Sequence, residues 1–68
     1  MNQVLTLLTN RAEYEIGSAV EKSITVGELI GLLRMYAPSM PVVFSNDNGY
    51  TYGYVNPECL EVAINTVD

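Results

Sequence analysis

Apolar and polar residues along this 68-residue chain fall into one stretch with helical spacing and several short runs with strand spacing. The helical stretch opens at Thr25-Val26-Gly27-Glu28, a capping box. There the threonine hydroxyl accepts from the Glu28 backbone N–H, and the Glu28 side chain reaches back to the cap. Val26, Leu29, Ile30, Leu33 and Tyr36 follow at helical spacing and form one apolar stripe. Pro38 pushes Ala37 out of the α region, so the pattern predicts a helix over 26–36. Gly27 and Gly31 lie off the stripe, four residues apart. They are either tolerated defects or places where another backbone comes close.

After the helix, residues 40–45 (MPVVFS) read as a strand with Pro41 at its start, where a missing donor does little harm. Asn46-Asp47-Asn48-Gly49 is a turn of residues that tolerate positive φ. Tyr50 to Val55 then reads as a second strand, with Tyr50, Tyr52 and Tyr54 on one face and Thr51, Gly53 and Val55 on the other. Asn56-Pro57 breaks this hairpin. Leu60, Val62 and Ile64 alternate with Glu61, Ala63 and Asn65 as a further strand. Near the start, Val4 to Leu8 is a short apolar run suited to a central strand. Residues 9–23 fit two patterns. Asn10 with Glu13, and Ala12, Ile16, Ala19 and Val20, suit a helix, whereas Ala12, Tyr14 and Ile16 alternate as in a strand. Gly17-Ser18 opposes either element running long, and mostly loop is expected. The fold class is α+β: one helix packed on a small, mainly antiparallel sheet of three to four strands, with residues 1–68 as a single domain.

Composition narrows the function. Eight acids against Arg11, Lys22 and Arg34 give a net charge of −5, the wrong sign for displacing counterions from phosphates. No direct nucleic-acid partner is expected. No apolar run reaches the ~18–20 residues that span a bilayer, and the start lacks a basic leader with a long apolar stretch. No membrane association is expected. A lone cysteine, Cys59, fits a reducing cytoplasm and leaves no internal disulfide. Chains under roughly 70–80 residues usually need a staple. With no disulfide and no metal-ligand spacing, self-association is the available one, and a homo-oligomer is expected.

Catalysis is not expected. There is no histidine to act as a general base, no phosphate-cradling glycine loop, and no metal or cofactor motif. Cys59 has no histidine to activate it and reads as a buried or half-buried structural thiol. Glu13 and Glu15, beside Arg11, read as a solvated edge.

The informative segment runs from Ser45 to Tyr54. Alternate tyrosines on a strand stand about 7 Å apart. Each offers large contact area at low entropic cost and keeps a hydroxyl for a hydrogen bond. Asn46, Asp47 and Asn48 place amides and a carboxylate at the end of that row. Gly53 offers room for a ligand or backbone to approach. Tyrosine also suits strands for packing alone, so any single ring has a structural explanation; three together favour a binding surface. Arg11, just past the first strand, can fork onto a phosphate or carboxylate, or neutralise Glu13 or Glu15. The candidate binding residues are therefore Arg11, Asn46, Asp47, Asn48, Tyr50, Tyr52 and Tyr54.

The succession Leu8-Thr9-Asn10-Arg11, then TVGELI from Thr25 to Ile30, then Met40-Pro41-Val42-Val43, then NDNGYTYG from Asn46 to Gly53 resembles a group of short phage and mobile-element proteins of gut bacteria. Tyr54 departs from that pattern and extends the aromatic row. The resemblance implies an origin, and through it a job common among tiny acidic phage proteins: countering host defence by binding. Two mechanisms follow, docking onto a host bacterial protein or sequestering a small nucleotide-like signal. A non-catalytic subunit of a phage assembly is the alternative.

Overall fold

The computed structural model describes residues 2–9 and 11–65. The chain forms two compact units. One joins the N-terminal segment ending at Arg11 to Ser39–Val62, and the other joins Ala12–Pro38 to the stretch beginning at Ala63.

The first unit is a three-stranded sheet of β1 (Leu5–Thr9), β2 (Val42–Asn46) and β3 (Thr51–Tyr54), in the order β1-β2-β3. β1 runs parallel to β2, with Leu5 opposite Val42, Leu7 opposite Phe44 and Thr9 opposite Asn46. β2 runs antiparallel to β3, with Ser45 opposite Tyr52 and Phe44 opposite Gly53. The sheet is therefore mixed, not mainly antiparallel. β2 is its centre, and β1, expected as central, lies at an edge. The connection from β1 to β2 exceeds the dozen or so residues that a parallel pair needs.

The hairpin forms as the turn chemistry requires. Asp47, Asn48 and Gly49 all take positive φ (51°, 57° and 86°), conformations that Asn, Asp and Gly tolerate best. The Tyr50 N–H closes the turn by donating to the Asn46 carbonyl at 3.0 Å. A Cβ at Gly49 would lie 3.1 Å from the Tyr52 hydroxyl. Gly49→Ala should thus cost about 1–2 kcal/mol, most of it backbone. Urea titration in wild-type and Tyr52→Phe backgrounds separates the two parts, because the second background lacks the clashing hydroxyl. A loss under about 0.5 kcal/mol would contradict the strained turn.

The expected fourth strand is absent among the described residues. Pro57–Cys59 form a 3₁₀ turn with proline at its first position, and Leu60 to Ile64 stay outside the sheet, with Leu60, Val62 and Ile64 exposed. Alternation alone does not make a strand: Leu60 to Ile64 carry the pattern but pair with neither edge of the sheet. Cys59 sits on this turn and is exposed, not buried as expected, because no strand begins there to draw it in.

The second unit holds two helices where one was expected. α1 (Ile16–Lys22) occupies the stretch expected to be mostly loop, and Lys22 pairs with Glu13. The helical spacing of Ile16, Ala19 and Val20 outweighs Gly17-Ser18. Asn10, suggested as a helix start, lies outside the described residues. α2 (Val26–Leu33) starts at the capping box: the Thr25 hydroxyl accepts from Glu28 N–H at 3.1 Å, and Thr25 N–H donates to Glu28 Oε1 at 3.0 Å. Its end tightens through Met35 N–H to Leu32 O and Tyr36 N–H to Leu33 O, so the helix stops short of the expected Tyr36. Among the described residues no other backbone of the chain lies within 4 Å of where a side chain at Gly27 or Gly31 would begin.

Thr25→Ala should cost the α2 cap about 1 kcal/mol, read as lost helical ellipticity and an earlier urea midpoint. The cap also makes α2 sensitive to acid. Backbone and side-chain hydrogen bonds from Thr25 hold the Glu28 carboxyl below the usual glutamate value of 4.5. A carboxylate depressed in the folded state contributes stability above its unfolded pKa and loses it as pH falls through the folded one. Helical ellipticity should therefore drop as pH falls below 4.5, and Glu28→Gln should flatten that drop.

Candidate functional site

Side-chain alternation gives the sheet two chemically different faces. The registers place Leu5, Leu7, Val42 and Phe44 on one face, ending in the polar row Thr9, Asn46 and Thr51. Thr6, Leu8, Val43, Ser45, Tyr52 and Tyr54 share the other.

The polar row is tied across all three strands. The Thr9 hydroxyl donates to Asn46 Oδ1, and Asn46 Nδ2 donates to Thr51 Oγ1 at 3.4 Å. Arg11 follows β1 and Asp47 follows β2, so both extend past the carboxyl ends of the parallel pair. Together Thr9, Arg11, Asn46 and Asp47 line a shallow cleft of about 380 Å³. Open sheets with parallel strands commonly receive ligands at this end. Among the described residues the only ion pair is Lys22 with Glu13, so Arg11 and Asp47 face the cleft without forming one. The cleft thus offers a forked cation, a carboxylate, an amide and a hydroxyl within one small volume.

The tyrosines lie elsewhere. Tyr52 and Tyr54 point from the face opposite the polar row, and Tyr50 belongs to the turn before β3. The three do not form a single strand row. Tyr52 and Tyr54 remain 66% and 78% exposed, and Leu8, across Ser45 on β1, is 77% exposed. Beneath them Ser45, at 6%, is the one buried residue among those described, flanked by Leu8 and Tyr52. The Tyr52 ring leans back over the turn, its hydroxyl above Gly49. Gly53 opens no space for a ligand: Phe44 Cβ and Cδ2 lie 3.5 Å from where its side chain would begin.

Of the residues expected from the sequence, Arg11, Asn46 and Asp47 meet in the cleft; Asn48 and Tyr50 sit on the turn. Tyr52 and Tyr54 form a separate aromatic patch. Thr9 was missed, because only its pairing with Asn46, 37 positions along, brings it to the cleft. Among the described residues no three metal-binding side chains cluster, and no helix is long and apolar enough to cross a membrane. No protein-family model matches this chain, and no curated protein or solved structure shows significant similarity to it.

Proposed function

We propose that this is a small phage-type accessory protein that counters host defence by binding a host bacterial protein in the cytoplasm, without catalysis. The exposed patch of Tyr52, Tyr54 and Leu8 carries the reading. A sheet face open to water normally alternates to polar residues, and large apolar and aromatic side chains gathered there mark a contact surface. Tyrosines are preferred anchors of such contacts. The net charge of −5 suits a partner with a basic surface, such as a nucleic-acid groove that the protein would occupy in place of its ligand. Self-association belongs to the same reading: neither unit buries an apolar side chain among the described residues, and a second copy would supply the missing burial.

The cleft supports a second mechanism, sequestration of a small nucleotide-like signal. Arg11 would fork onto a phosphate, and Asp47 and Asn46 would accept and donate to base or sugar groups. Because Tyr52 and Tyr54 stand on the other face, this ligand would bind without their rings.

Native mass spectrometry of the tagged protein drawn from a bacterial lysate separates these outcomes. A stoichiometric host protein supports direct inhibition. Extra mass of a nucleotide's size, lost in Arg11→Gln, supports sequestration. A protein that captures neither, and associates instead with phage products, belongs to an assembly.

A further inference from the structure

Strand β3 is an unguarded edge. It pairs with β2 on one side only, and Thr51–Tyr54 contain no lysine, proline or bulge, the usual devices that keep an edge from pairing with another chain. In a chain of net charge −5, every residue from Asn48 to Pro57 is uncharged. Two copies could meet along this stretch without bringing acids together.

We propose that β3 is the dimer seam: two copies pair antiparallel through their β3 edges, with the two-fold axis at Gly53. This rests on the self-association in the proposed function and names its surface. In that register Tyr52 lies opposite Tyr54 of the second copy, and Tyr54 opposite its Tyr52. Cross-strand aromatic pairs of this kind stabilise antiparallel ladders. Thr51 meets Val55 on the other face, and the two Gly53 residues meet at the axis, their open side already filled by Phe44. The other edge is a poorer match. A two-fold at Leu7 of β1 sets Thr6 against Leu8 and Leu5 against Thr9, so that off the axis every pair sets polar against apolar and only the two Leu7 residues match. The β3 seam joins two sheets into one of six strands. It also gathers four tyrosines on a single face, doubling the proposed contact patch.

Sedimentation from micromolar to submillimolar concentration, with amide hydrogen exchange on the same wild-type samples, tests the seam without relying on a variant that folds. A dimer whose protection rises with concentration at Thr51–Tyr54 is the expected result. A dimer protected at Leu5–Thr9 instead would overturn the seam and leave self-association standing. A monomer at every concentration would overturn both, and capture of a host protein by that monomer would still leave the binding function intact. Charge exchange gives an independent check. Tyr52→Lys/Tyr54→Lys and Tyr52→Glu/Tyr54→Glu should each weaken the dimer by about a hundredfold or more through facing like charges. Mixed one to one, the two variants should dimerise again; a mixture that stays monomeric while both remain folded refutes the register.

Discussion

Removing both strand tyrosines, Tyr52→Ala with Tyr54→Ala, should weaken partner capture at least about a hundredfold while the protein stays folded. Each ring is mostly exposed, so its truncation removes little intramolecular packing. In a contact with a partner, each would lose a large desolvated area, and tyrosines are enriched among the hot-spot side chains whose loss costs about 2 kcal/mol or more. The phenylalanine pair, Tyr52→Phe with Tyr54→Phe, separates ring from hydroxyl and should fall between wild type and the alanine variant. Since the same residues form the proposed seam, binding is best measured on samples whose oligomeric state has been fixed by sedimentation. Arg11→Gln is the contrast: it alters the cleft on the opposite face and should leave protein capture near wild type. Undiminished capture by the alanine variant would place the contact surface elsewhere on the molecule.

Local chemistry was legible in the sequence, and long-range pairing was not. The capping box at Thr25 and Glu28 placed the start of α2, since both partners of its hydrogen bonds lie within four residues. The turn at Asp47-Asn48-Gly49 likewise fixed both the hairpin and its direction, because a tight turn between two strands leaves them antiparallel. The apolar run from Val4 to Leu8 identifies a strand but carries no sign of its direction, and the parallel pairing of β1 with β2 comes from contacts more than 30 positions away. The same limit hid Thr9 from the candidate site. Leu60, Val62 and Ile64 show the converse. Their alternation suits a half-buried strand, but whether an edge is open to them is a property of the fold and not of those residues.

The tyrosine row was read correctly as an alternation and incorrectly as one continuous surface. Period-two reasoning holds only inside a strand, and the turn ends at Tyr50, one residue before β3 begins. Strand parity also separates the amides from the rings. Asn46 and Tyr52 both flank the hairpin, yet Asn46 pairs with Thr51 and so shares its face, while Tyr52 shares the face of Ser45. A sequence that places polar and aromatic residues within one short segment can thus build two sites back to back.

Phe44→Ala should be the most damaging single change to the sheet. Phe44 lies on the central strand between Leu7 of β1 and Gly53 of β3, and its ring stands over Gly53, 3.5 Å from where a side chain there would begin. An aromatic ring laid over a glycine on a neighbouring strand restores contact that the glycine cannot make. Full burial of a phenylalanine would put the loss at about 3–5 kcal/mol; Phe44 is half-buried, so about 2 kcal/mol is expected. A domain this small has only a few kcal/mol in total, so that loss should lower the melting temperature by roughly 10 °C or leave the sheet largely unfolded. Gly53→Ala supplies the internal comparison. Its new methyl would meet Phe44 at an ordinary 3.5 Å, so it should change stability by less than about 0.5 kcal/mol. If thermal denaturation shows the two variants equally damaged, Phe44 is not the residue that joins the three strands, and the apolar pairing of Leu5, Leu7 and Val42 must hold the sheet instead.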